Sequence, residues 1–137
     1  MFKLLTLMFL GLLSVDAVAD EDRAQIRAAA LDYAEGWYAG DAARMERAVH
    51  PDLAKRIASR GAIEQMTARE LVAGTRSGGG KNTPKAKQLA DVKILDIFGN
   101  AASVRLEMSG WIDYMHLAKI DGQWKIVNVL WELKPLT

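Results

Sequence analysis

The chain has 137 residues, with 18 Lys and Arg against 17 Asp and Glu, so its formal net charge at neutral pH is +1. That balance gives no electrostatic footprint for nucleic acid or an anionic membrane surface. There is no cysteine, which excludes thiolate catalysis, disulfide bridges and cysteine-ligated metal.

Residues 1–19 read as a secretory signal. Lys3 is a short positive start, Leu4 to Leu13 an apolar run, and Ala17-Val18-Ala19 a small-residue cleavage site ahead of Asp20-Glu21-Asp22. The run is too short for an anchor, since a span needs about 20 apolar residues, and Asp16 ends it. The expectation is an exported protein, periplasmic or secreted, with no membrane anchor after cleavage. Residues 20–137 then form one domain large enough to bury a core.

Along that domain, Ile26, Ala30, Tyr33, Ala34 and Trp37 fall on one helical face, which predicts a first helix over Glu21 to Tyr38. Gly40 is a fitting stop and Asp41 a fitting N-cap for a short second helix, Ala42 to Val49. Pro51 disfavours helical geometry at His50, and Asp52 to Ala58 reads as one or two further helical turns. Thr67-Ala68-Arg69-Glu70 matches a capping box, with Met66 and Leu71 placed as a hydrophobic staple; it predicts a third helix from Ala68 to about Ala73. Gly74 to Lys87 is glycine-rich and basic but fails the phosphate-loop pattern, because Thr75 stands where its first glycine belongs and Asn82 follows Lys81. It reads as a solvated loop.

The last third is strand-like. Asp121-Gly122 between apolar runs predicts a hairpin of Trp111–Ile120 with Gln123–Leu133. Gly99-Asn100 predicts another, of Val92–Phe98 with Ala101–Met108. In that hairpin Leu95, Ile97, Ala102, Val104 and Leu106 share one face, and Asp96, Ser103, Arg105 and Glu107 the solvated one. With a two-residue turn at Asp121-Gly122, one face of the long hairpin carries Trp111, Asp113, Met115, Leu117, Trp124, Ile126, Asn128 and Leu130. The other carries Ile112, Tyr114, His116, Val127, Val129 and Trp131. A three-residue turn would instead bring His116 and Tyr114 beside Trp124 and Asn128 and move Asp113 out. Apolar residues on both faces exceed what one helical layer covers, which predicts a homodimer through the face of Val127, Val129 and Trp131.

Two segments, LDYAEGWYAGDAARMERAVHPDL and GWIDYMHLAKIDGQWKIVNVLWELKP, resemble the putative lumazine-binding family of the nuclear transport factor 2-like superfamily. The resemblance spans nearly all of residues 20–137. It implies an α+β cone, with N-terminal helices packed in a strongly curved antiparallel sheet and a cavity at the open end. Superfamily members often dimerise through the sheet; some are isomerases, dehydratases or cyclases, and many only bind ligands or other domains.

Within that frame, the expected ligand-binding residues are Tyr33, Trp37, His50, Trp111, Asp113 and Asn128, with Trp124 as a further aromatic candidate. Tyr33 and Trp37 lie one helical turn apart and suit a flat ligand, although such a stripe also suits plain packing. His50 and Asp113 are the candidate acid–base pair. The structural alternatives are a helix C-cap for His50 and a satisfied buried carboxyl for Asp113. His116 faces interface or pocket according to register. Two histidines without a supporting pattern do not make a metal site, and no cofactor is expected. Three functions follow: a small-molecule-binding domain; a cofactor-independent isomerase, dehydratase or hydrolase using His50 and Asp113; or a structural dimeric module.

Overall fold

A computed structural model describes residues 14–136. The expected secretory signal lies mostly outside the described residues, and only Ser14 to Ala19 fall within them. Ser14 accepts from the Ala17 amide at 3.3 Å and so caps α1 (Val15–Ala39), which starts earlier than the expected Glu21. Ile26, Ala29, Ala30, Tyr33 and Ala34 form its buried face. Gly40 ends it at φ 68, with its amide donating to the Gly36 and Trp37 carbonyls, a left-handed stop that glycine adopts without strain. Asp41 then caps α2 (Ala42–Ala48) through the Arg44 amide at 3.1 Å.

Where helical turns were expected after Pro51, the chain forms a hairpin of β1 (Val49–Ser59) and β2 (Ala62–Thr67). Its Arg60-Gly61 turn has φ 51 and 80, nearly the values of Asp121-Gly122, 51 and 76. Both are the two-residue, positive-φ turns that match strand twist. Asp-Gly announces such a turn and Arg-Gly does not. The capping box is present, with Glu70 accepting from the Thr67 amide at 2.8 Å and Thr67 from the Glu70 amide at 3.2 Å. It starts α3 (Ala68–Arg76).

The remaining strands are β3 (Ala90–Phe98), β4 (Ala101–Met108), β5 (Trp111–Ile120) and β6 (Gln123–Leu133). They complete one six-stranded sheet in the order β2-β1-β6-β5-β4-β3. Every neighbouring pair is antiparallel except β1 with β6. The sheet is therefore mixed, not wholly antiparallel as expected. The α1 helix packs on β3 and β6, and α3 packs on α2 and β1.

Two bulges correct the expected faces. The Asp121-Gly122 turn does have two residues, since Ile120 pairs with Gln123. Further along, His116 pairs with Asn128 while Leu117 pairs with Ile126, which leaves Val127 unpaired. An extra residue reverses the alternation beyond it. Val129 becomes fully buried and Trp131 joins the core side, opposite Asp113. Asn128 and Leu130 move to the outer face with His116 and Tyr114. The expected dimer face of Val127, Val129 and Trp131 therefore does not exist as a surface. In β3, Leu95 is the unpaired residue and is exposed, while Val92 and Ile94 pair with Leu106 and Val104.

The glycine-rich segment is largely solvated, as expected, but part of it packs against the first helix. A β-carbon at Gly80 would lie 2.4 Å from the Trp37 carbonyl oxygen and 2.5 Å from its indole Cδ1, and one at Gly79 would lie 2.6 Å from Trp37 Cη2. These glycines let the backbone lie flat against Trp37.

Candidate functional site

β1 and β5 flank β6 in the sheet and each sends one charged side chain inward. Lys55 is 7% exposed and Asp113 is 0% exposed. Lys55 Nζ lies 2.8 Å from Asp113 Oδ1 and donates to the Tyr33 hydroxyl of α1 at 2.5 Å. That hydroxyl donates in turn to Asp113 Oδ1 at 3.4 Å, and Trp111 Nε1 donates to Asp113 Oδ2 at 2.9 Å. No buried side-chain nitrogen or oxygen among the described residues lacks a partner. The polar cluster is thus fully satisfied, as groups held away from water must be.

This cluster underlies an aromatic cavity of about 230 Å³, lined by Tyr33, Trp37, Lys55, Met66, Leu71, Trp111, Trp131 and Leu133. Trp111 meets Trp37 edge-on with centroids 6.4 Å apart, and Trp131 with centroids 6.1 Å apart. Lys55 Nζ sits 4.8 Å from the centre of the Trp131 ring and 5.3 Å from that of Tyr33, within cation–π range. Burial pushes the Lys55 ammonium below the ordinary lysine range, against the opposing pull of Asp113. Burial first, and then the Asp113 carboxylate, hold the Tyr33 hydroxyl protonated well above the usual phenol range.

The expected site is brought together only in part. Tyr33, Trp37 and Trp111 form cavity wall, with Asp113 behind them. His50 does not reach it. It lines a separate, open cleft of about 540 Å³ with Glu46, Arg69, Arg76 and Lys125. Its Nδ1 accepts from the Asp52 amide at 3.0 Å, a local turn bond in place of the expected helix cap. His50 and Asp113 therefore form no acid–base pair here. The Val127 bulge turns Asn128 outward, where Arg56 donates to it at 3.2 Å and His116 Nδ1 lies 3.2 Å away. Trp124 spends its indole N–H on Asp22 at 2.9 Å, at the far end of β6. Among the described residues no three His, Asp or Glu side chains converge on a possible metal position.

The cavity also takes Lys55, Met66, Leu71, Trp131 and Leu133, none of which is among the expected site residues. Leu53, Lys55 and Ile57 alternate at strand spacing. A lysine at an inward position is a strong signal, but only once β1 is recognised as a strand.

Comparison with known proteins agrees with this fold. The family model described as putative lumazine-binding matches residues 21–132. Among solved structures, a nuclear transport factor 2-like protein of unknown function from Methylobacillus flagellatus has a TM-score of 0.69 at 24% identity, over 90% of this chain and 96% of that one. Another from Silicibacter pomeroyi gives 0.68 at 16%, over 85% and 98%. A protein from Novosphingobium aromaticivorans described as a putative aromatic ring hydroxylase gives 0.61 at 14%, over 86% and 93%. At such identities the likeness shows the fold alone, and that fold is the expected α+β nuclear transport factor 2-like cone. The comparison with curated proteins finds no match.

Removing one member of a buried ion pair strands the other, at a typical cost of about 3–5 kcal/mol, whereas replacing both by apolar groups is often neutral. Lys55→Met and Asp113→Asn should each lower the unfolding free energy by about that amount in urea titrations. Lys55→Met combined with Asp113→Leu should recover most of the loss. Single losses under about 1 kcal/mol would contradict a desolvated pair.

Proposed function

We propose that this chain, which belongs to the putative lumazine-binding family of nuclear transport factor 2-like folds, binds one small flat molecule between Trp37, Trp111 and Trp131. The observation that carries this reading is the placement of a desolvated ion pair directly under an aromatic cavity. A buried pair is rarely the cheapest way to stabilise a core, because well-packed apolar side chains often do as well or better by about 1–4 kcal/mol. Ionisable groups with shifted pKa values beside a cavity are a recurrent mark of functional sites. The alternative of a purely packed module leaves that pair without a use.

Size and wall chemistry narrow the ligand. A volume of about 230 Å³ falls below the roughly 300–1,000 Å³ of drug-sized sites, which favours one or two fused rings. The wall is almost wholly carbon. Lys55 is the one charged residue in that wall and has three N–H donors, two of them engaged by Asp113 and Tyr33. The third suits one oxygen acceptor on an otherwise apolar ring. Lumazine, the ligand in the family's name, carries several ring nitrogens and carbonyl oxygens, and most would lose their water without replacement here. We therefore favour a less polar aromatic ligand.

Export and self-association complete the proposal. The layout of residues 1–19 supports export, and the mass of protein recovered from a secreting host tests it: an N-terminus near Asp20 is expected, and retained residues 1–19 would refute it. For a homodimer, the outer sheet face replaces the one expected from sequence. Tyr114 and Leu130 are paired across β5 and β6 and are 48% and 52% exposed. Leu130→Lys should yield a monomer in light scattering, and a wild-type monomer at micromolar concentration would refute the dimer.

For the cavity itself, 2-naphthol is a suitable probe. With about ten non-hydrogen atoms at ordinary ligand efficiency, it should bind with Kd between about 1 μM and 1 mM. Isothermal titration calorimetry should show saturable binding, weakened about tenfold or more by Trp37→Ala. Lumazine should bind more weakly than 2-naphthol. Absence of saturable naphthol binding, or tighter binding of lumazine, would overturn the reading.

A further inference from the structure

We propose that Lys55 is a carbonyl-reactive amine, and that the cavity holds a small aromatic aldehyde or ketone as a protonated imine with Asp113 as counter-ion. This rests on the reading of the cavity as a ligand site. Three placements carry it. Lys55 is the one lysine among the described residues that is buried, and it forms part of the cavity wall. Asp113 lies 2.8 Å from its nitrogen and is fixed from two further sides by Tyr33 and Trp111. The Tyr33 hydroxyl touches the same nitrogen at 2.5 Å and remains protonated at neutral pH.

The chemistry these groups permit balances without any other reactant. The Lys55 ammonium gives a proton to Asp113, and the free amine attacks the carbonyl carbon as the C=O π bond opens. Tyr33 passes a proton to the new alkoxide and receives one from the nitrogen, which leaves a neutral carbinolamine. Asp113 returns its proton to the carbinolamine hydroxyl. That group departs as water while the nitrogen lone pair closes the C=N bond. The sum is ammonium plus carbonyl giving iminium plus one water, with nothing oxidised or reduced.

Charge conservation makes this site favourable for that outcome. The iminium carries the same single positive charge as the ammonium it replaces, so Asp113 keeps a cation and no buried charge is orphaned. The Trp131 face beside Nζ stabilises either cation. Desolvation also lowers the cost of reaching the free amine, the usual means of activating a lysine nucleophile. An acyl or phosphoryl acceptor would instead consume the positive charge and leave Asp113 unpaired. The site's chemistry thus selects carbonyl compounds.

Reductive trapping tests this on the full chain. The protein is incubated at neutral pH with 2-naphthaldehyde and cyanoborohydride, which reduces an iminium to a stable secondary amine, and the modified lysines are mapped by peptide mass spectrometry. Lys55 should be labelled at least about tenfold faster than exposed Lys85 or Lys93, because an aldehyde bound beside its nitrogen reacts at a high effective concentration. Its labelling should saturate with aldehyde and be suppressed by 2-naphthol. Lys55→Arg, which keeps the cation beside Asp113 but cannot form the imine, should show no preferential labelling of any lysine. Saturable 2-naphthol binding with Lys55 unlabelled, or labelled no faster than exposed lysines, overturns the imine and leaves the binding reading standing. Failure of both 2-naphthol binding and Lys55 labelling overturns the two together.

Discussion

The Lys55–Asp113 ion pair is the constraint on which the rest of the site depends. It crosses β6 to join β1 with β5, and Tyr33 ties α1 to the same point. A charge pair this deeply buried must be held by nearly ideal geometry, or desolvation outweighs attraction. The surrounding parts supply that geometry. The inward turn of β1 delivers Lys55, the strict alternation of β5 delivers Asp113, and Trp111 fills the second carboxylate oxygen. The aromatic wall is arranged around these atoms: Trp131 and Tyr33 present their rings to the ammonium, and Trp111 stands edge-on between Trp37 and Trp131.

One inserted residue in β6 makes this possible. Without the bulge at Val127, Val129 and Trp131 would face outward, and Asn128 would face the core. The cavity would lose one aromatic wall and gain an amide needing partners. The glycine-rich segment has a comparable part at the opposite wall, where Gly79 and Gly80 allow the backbone to press on Trp37.

Much of the architecture is legible in the residues themselves. Gly40, Asp41 and the Thr67–Glu70 box mark real helix ends, and Asp121-Gly122 marks a real two-residue turn. These signals are local: each depends on backbone chemistry within a few residues. The two bulges are not local. Val127 and Leu95 are ordinary strand residues, and whether one of them is skipped depends on how the partner strand and the core fit. For the same reason the faces inferred from alternation hold up to the bulge and invert beyond it. β1 was hidden because its pairing with β6 is parallel and long-range, and because Arg60-Gly61 lacks the usual turn residue. Reading Asp52 to Ala58 as helical turns gives Lys55 no inward strand position, and leaves His50 as the basic group considered for Asp113. Tyr33, Trp37 and Trp111 line the aromatic cavity: Tyr33 and Trp37 come together by helical spacing, and Trp111 by the two-residue turn that keeps it on the face of Asp113.

The central claim, an ion-paired floor beneath an aromatic ligand cavity, is tested most directly by a crystal structure of the protein grown with 2-naphthol. The expected result is the ring between Trp37, Trp111 and Trp131, its oxygen directed to Lys55, and the Lys55–Asp113 contact intact. A structure with Lys55 turned to solvent and apart from Asp113, or with the ring seated in the cleft at His50 and this cavity closed by Trp131, would contradict it.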